Sequence, residues 1–220
     1  MGDRPIALVT GGAKRVGAAT ARELARAGCE VHITYRTSAQ EAESLIEDID
    51  GGGAHRLELE TTSEVHRFAN ELGDKLGGRL DVLVHNASVY DPTPIEGFDI
   101  ELAQRQFLVN AVAPLVLTAG LAPTLRNTMQ QHGAGVVVMS DIHAIGRPRQ
   151  GFSAYSMSKA AVTEMVRSLA RDLAPSIRVN AVAPGVVKWP DEGYESDEHS
   201  QQAYLSRVPL ERPGTPEDAA

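Results

Sequence analysis

"LVTGGAKRVGAATARELARAG" (residues 8–28) decides how the rest of the chain is read. An apolar run ends at Thr10-Gly11, a glycine-containing turn follows, and an amphipathic helix pattern begins near Gly17 and closes at Gly28. A strand that stops at glycine and restarts as a helix is the first half of a βαβ unit. Backbone N–H groups at such a turn, helped by the positive end of the helix, can hold a pyrophosphate. Glycine alone is weak evidence, because tight turns use it for steric reasons. Its place at the first strand–helix junction gives it weight, and makes Thr10, Gly11, Lys14, Arg15, Val16 and Gly17 candidate dinucleotide contacts.

Working outward, the same rhythm repeats. Apolar runs predict strands at 6–10, 31–35, 56–60, 80–86, 135–140 and 178–183. Helix patterns lie at about 14–27, 38–49, 62–76, 99–130 and 153–173. Most strand runs are continuously apolar, as in strands covered on both faces of a parallel sheet. The expected fold is therefore α/β, a Rossmann-type doubly wound parallel sheet with helices on both faces and ligands at the strands' C-terminal ends. Ser38 to Glu41 reads as a capping box, with Gly28 and Gly51 as helix stops. No repeat or linker divides residues 1–220, so one domain is expected. Near the end, Thr215, Pro216 and Asp218 read as the start of another capped helix. The domain is thus expected to be C-terminally incomplete, its final strand missing.

Bulk properties exclude some functions. The chain has 220 residues, enough for one full core, and a net charge of −8, which argues against a nucleic-acid surface. The single cysteine, Cys29, fits a reducing compartment and reads as a small buried residue. No run approaches the ~18 apolar residues of a membrane span, and the N-terminus leads straight into "IALVT". A cytoplasmic location without membrane or nucleic-acid partners is expected.

Two further stretches carry chemistry. At the second strand's end, an Asp or Glu would bind a ribose 2′-hydroxyl. The chain has Tyr35, Arg36, Thr37 and Ser38 instead, and with Lys14 and Arg15 these suit a 2′-phosphate, hence NADPH/NADP. The alternative is a set of solvated surface arginines. "VVVMSDIH" (136–143) ends a core strand in Ser140 and Asp141, and either could face the chemistry. Tyr155 and Lys159 follow at i and i+4, on one helix face. A cation beside a tyrosine favours its phenolate and lowers its pKa from ~10, and a nearby carboxylate acts the other way. Within "FLVNAVAPL", Pro114 deprives the Asn110 carbonyl of its usual helical partner. That carbonyl can hold a water for a proton relay, or the kink can serve packing alone.

In this order, "TGGAKRVG", "HNAS", Asn110, "YSMSK" and "VAPG" resemble the short-chain dehydrogenase/reductases over nearly the whole chain. Arg15 in place of a loop glycine, Ser88 in place of the glycine after "HNA", and Asp141 at the usual serine position are similar to the pteridine reductases and the dihydromonapterin and dihydrofolate reductases of this fold. The last match requires one extra residue in the loop before Tyr155. "ASVYDPTP" and "GVVKWP" resemble the same subgroup. The resemblance implies reduction of a pterin C=N bond with NADPH, a homotetramer, and a catalytic set of Asn110, Asp141, Tyr155 and Lys159. It adds Glu60, Asn86, Ala87, Ser88, Pro184 and Gly185 to the cofactor contacts, which also include Tyr155 and Lys159. Arg15, Ser88, Tyr90, Asp141, Tyr155 and Trp189 would surround the substrate, with Tyr90 stacking on the pterin ring. Glu60 stands where the family has Asp for the adenine, and Val187 lacks the usual downstream threonine. No metal site is expected. Residues 188–210 read as an irregular acidic substrate lid or a plain surface loop. The competing readings are a short-chain carbonyl reductase acting on a 3-oxoacyl, steroid or sugar substrate, and a non-enzymatic NADP-binding protein.

Overall fold

The computed structural model describes residues 4–144, 146, 149–189 and 196–220, apart from the Ser200 side chain. Six parallel strands form one sheet: β1 (Ile6–Val9), β2 (Glu30–Tyr35), β3 (Gly53–Arg56), β4 (Val82–His85), β5 (Ala134–Met139) and β6 (Ile177–Val182). They lie in the order β3-β2-β1-β4-β5-β6. Helices α1 (Arg15–Arg26), α2 (Ala39–Asp48), α3 (Thr62–Lys75), α4 (Ile100–Phe107), α5 (Ala113–Arg126) and α6 (Ser153–Asp172) connect them, and α7 (Glu198–Leu205) follows β6.

Strand alternation sorts side chains to two cores. Leu8 and Leu83 join Leu117, Leu121 and Leu125 of α5 on one face. Ala7, Val9, Val31 and Ile33 join Ala21 of α1 and Leu45 of α2 on the other. The chain winds outward from β1 through β2 to β3, then returns to β4 and winds the other way. The reversal opens a crevice between the C-terminal ends of β1 and β4, where open α/β sheets bind ligands. Thr10 Oγ1 helps stitch it, accepting from the Asn86 and Ala87 N–H groups at 3.0 and 3.1 Å.

Several elements differ from expectation. β3 spans Gly53–Arg56, not 56–60. Alternating Leu57 and Leu59 mimic a strand, but pairing with β2 runs only from His32↔Gly53 to Tyr35↔Arg56. Just before the strand only glycine fits, because His32 lies over the chain: a Cβ on Gly52 would stand 2.1 Å from its Nε2. Ser38 is the N-cap of α2, but its side chain makes no capping bond. Glu41 instead pairs with Lys14 at 2.7 Å. The expected helix over 99–130 is interrupted by a π-turn, Leu108–Val112, and ends at Arg126. Asp99 caps it, accepting from Leu102 N–H at 2.9 Å. Ile100–Arg126 is long and apolar enough to cross a membrane by length and composition, which the sequence reading missed. Its packing explains the apolarity, since Leu117, Leu121 and Leu125 are fully buried against the sheet.

The expected lid is partly helical. α7 occupies Glu198–Leu205, while residues 190–195 of the lid lie outside the described residues. At the end of the chain, Thr215 and Asp218 make reciprocal capping bonds, Asp218 N–H to Thr215 Oγ1 at 3.2 Å and Thr215 N–H to Asp218 Oδ2 at 2.8 Å.

Candidate active site

Asp141 follows β5, and a short 3₁₀ turn, Ile142–Ala144, fixes its carboxylate. His143 N–H donates to Asp141 Oδ1 at 2.7 Å. The other oxygen accepts the Tyr155 hydroxyl at 2.6 Å. Ser140 faces elsewhere: its Oγ meets Thr163 Oγ1 on α6 at 3.2 Å. Adjacent residues at a strand end alternate faces, so only one of the two can look along the crevice. The geometry gives that place to Asp141.

Tyr155 and Lys159 are nearly buried, at 5% and 4% exposure. Lys159 Nζ donates to the Met139 carbonyl at 2.8 Å and lies 5.8 Å from the Tyr155 ring centre. Burial pulls its pKa from 10.5 down to about 8, and Asp141 partly resists that shift. The Tyr155 hydroxyl is pushed well above its ordinary value, first by burial and then by the Asp141 charge and hydrogen bond. Arg149 pulls it down.

Asn110 sits in the π-turn with both ends of its amide engaged. Oδ1 accepts from Ser88 Oγ at 3.0 Å and Val89 N–H at 2.8 Å. Nδ2 donates to the Val89 carbonyl at 2.9 Å and Ser158 Oγ at 3.0 Å. The side chain thus clamps the loop after β4 to α6.

Tyr90 leaves that loop 39% exposed. One ring face stacks on Phe152 at 4.6 Å and 16°, and Tyr155 stands edge-on to it at 4.7 Å and 80°. Arg149 Cζ lies 5.1 Å from the Phe152 ring centre. Phe152 and Arg149 were not legible as site residues, because the loop before α6 has no periodicity to read. Trp189 packs edge-on against Tyr204 of α7 at 5.4 Å. Trp189, expected beside the substrate, is thereby held against α7. The backbone of Asp141's turn is tied to the segment after β6, with Ile142 N–H reaching the Pro184 carbonyl at 3.3 Å. Gly185 adjoins the same turn, since a Cβ there would lie 3.7 Å from Ile142 Cδ1.

The crevice at β1 has the shape a dinucleotide needs. A Cβ on Gly17 would stand 2.3 Å from the Gly11 carbonyl and 2.5 Å from Asn86 Nδ2, so only glycine fits at the start of α1. The first turn of α1 carries no acidic residue that would repel a phosphate. Arg15 takes a positive φ of 53°, the cost of a side chain where the family has glycine. A cavity of about 200 Å³ opens beside the loop, lined by Gly11, Tyr35, Arg36, Glu58, Leu59 and Ala87. Thr37 and Ser38 lead from Arg36 into α2. Glu58 and Leu59 line this cavity, and Glu60, expected at the adenine, follows them in the chain. β3 ends earlier than expected, and the Glu60 carboxylate turns to Arg36 at 3.3 Å and Arg105 at 2.5 Å.

Comparison with known proteins agrees with this geometry. Residues 11–220 match the family model described as enoyl-(acyl carrier protein) reductase. The hydroxynaphthalene reductase of Aspergillus fumigatus is 33% identical, with 97% of this chain and 82% of that protein covered. The dihydromonapterin reductase of an Enterobacter species is 31% identical, over 91% of this chain and 80% of that protein. A short-chain dehydrogenase from Burkholderia cenocepacia, solved with NADP, superposes with a TM-score of 0.86 at 29% identity, covering 98% of this chain and 86% of that one. With its sheet order, its glycine cradle and its Tyr155–Lys159 pair, the chain belongs to the short-chain dehydrogenase/reductase family.

Proposed function

We propose that this protein is an NADPH-dependent reductase of C=N bonds in pterins, of the dihydropteridine, dihydromonapterin or dihydrofolate class. The observation that carries the reading is the 2.6 Å hydrogen bond from Tyr155 to Asp141. A ketone offers its site only an acceptor oxygen, which a hydroxyl donor such as serine would serve and a carboxylate would repel. A pterin also presents ring and exocyclic N–H groups, which a carboxylate accepts. The similarity to a dihydromonapterin reductase supports the same substrate class.

NADPH supplies the hydride. The chain's residues handle the proton. Asp141 and burial keep Tyr155 protonated at neutral pH. Once the C=N carbon has taken the hydride, its nitrogen becomes far more basic than a phenolate, so Tyr155 gives up its proton even with a raised pKa. Lys159 and Arg149 offset the charge this leaves on the phenolate. Asn110 holds Ser88 and Val89 beside the reacting pair. Arg36 and Lys14 would hold the 2′-phosphate, and Tyr90 offers an aromatic wall beside Tyr155.

A carbonyl reductase is the second reading, favoured by the 33% identity to the hydroxynaphthalene reductase. The two separate in one assay, NADPH oxidation with dihydrobiopterin, dihydromonapterin and dihydrofolate against a ketone panel. Asp141→Asn should lower pterin turnover roughly a hundredfold or more, with NADPH affinity nearly unchanged. Ser140→Ala should leave turnover close to wild type. Turnover of ketones alone, or full activity in Asp141→Asn with loss in Ser140→Ala, defeats the pterin reading. We further place a second copy of the chain over the exposed Ile100, Phe107, Leu115 and Met157 of α4, α5 and α6.

A further inference from the structure

We infer that Glu60 and Arg105 are positioning residues for the 2′-phosphate site: Arg105 neutralises Glu60, so that Glu60 orients Arg36 without consuming its charge. This rests on the NADPH assignment and not on the pterin reading. Arg36 stands at the edge of the cavity beside Tyr35, Glu58 and Leu59. Its Nη1 donates to Glu60 Oε1 at 3.3 Å, and its backbone carbonyl accepts from Arg56 Nε at 3.4 Å. Among the described residues its Nε and Nη2 make no hydrogen bond, which leaves their three N–H bonds for a phosphate. The same Glu60 oxygen accepts from Arg105 Nε, on α4, at 2.5 Å.

The charge count gives the reason for three groups. Arg36 and Glu60 alone sum to zero and would set a carboxylate beside a dianionic phosphate. Arg105 raises the sum to one positive charge. It also lies closer to the shared oxygen than Arg36 does, so α4 supplies most of the compensation. The side chains are 49%, 37% and 33% exposed for Arg36, Glu60 and Arg105, so solvent screens the effect to a few-fold.

The test is the dissociation constant of NADPH and of NADH, measured by calorimetry for wild type, Arg105→Gln, Glu60→Gln and the double variant. Arg105→Gln should weaken NADPH about three- to fivefold and NADH less than about twofold. The double variant, having lost both charges, should return to within about twofold of wild type. The NADPH loss should shrink between about 0.02 M and about 0.3 M salt. Equal weakening of both dinucleotides, an unchanged ratio, or no rescue in the double variant overturns the inference. A wild type without preference for NADPH overturns the cofactor assignment and this inference together.

Discussion

Lys159 and Tyr155 carry opposite pH signatures. The folded pKa of Lys159 is about 8, below its ordinary 10.5. Between these values the unfolded chain holds a proton that the native state has released, so stability rises with pH. The gain expected by pH 10 is about 2 to 3 kcal/mol. Tyr155 has the reverse sign: above pH ~10 the unfolded phenol ionises while the native one stays protonated, so the gain is opposed there. Urea unfolding of the free enzyme from pH 7.5 to 10, compared with Lys159→Met, checks this, since the variant should lose the rise. The sequence showed Tyr155, Lys159 and Asn110 because their spacing and neighbours are local. It left Ser140 against Asp141 open, because one residue of register decides it and only the 3₁₀ turn sets that register. Arg105 was invisible, since 45 positions separate it from Glu60.

At the scale of elements, five of the six strands were legible in place, because buried parallel strands are largely apolar. β3 was displaced because its sequence, Gly-Ala-His-Arg, has no apolar run, and the glycine just before it, Gly52, answers to a histidine on the next strand. The π-turn showed only as a proline four residues after Asn110. The buried side chains that join elements make acid the natural denaturant. His85 of β4 bonds Thr118 of α5 at 2.7 Å, and burial lowers its pKa to about 3. His55, packed against His32 and Phe68, falls to about 4, chiefly through burial. Both folded values lie below the unfolded 6.5, so the unfolded state gains protons first and stability falls as pH drops below about 6.5. His85→Gln should flatten the loss between pH 6 and 4 in a denaturant titration, even if it lowers stability at pH 7.

For the whole molecule, the exposed apolar residues on α4, α5 and α6 set an expectation of self-association. Phe107→Glu should convert an oligomer into monomer at micromolar concentration, as light scattering after gel filtration would show, while the circular dichroism spectrum is retained. A monomeric wild type would remove that expectation. The stitch of Thr10 to Asn86 and Ala87 has a different consequence. It lies at the strand ends of β1 and β4, whereas Asp141, Phe152 and Trp189 stand on segments after β5 and β6. The seam of the crevice is therefore closed by two central strands alone, and no residue after β5 or β6 takes part in that stitch. Substitutions in the loops that follow β5 and β6 can accumulate without loosening that seam, so the crevice can keep its shape while the loops beside Asp141 diverge.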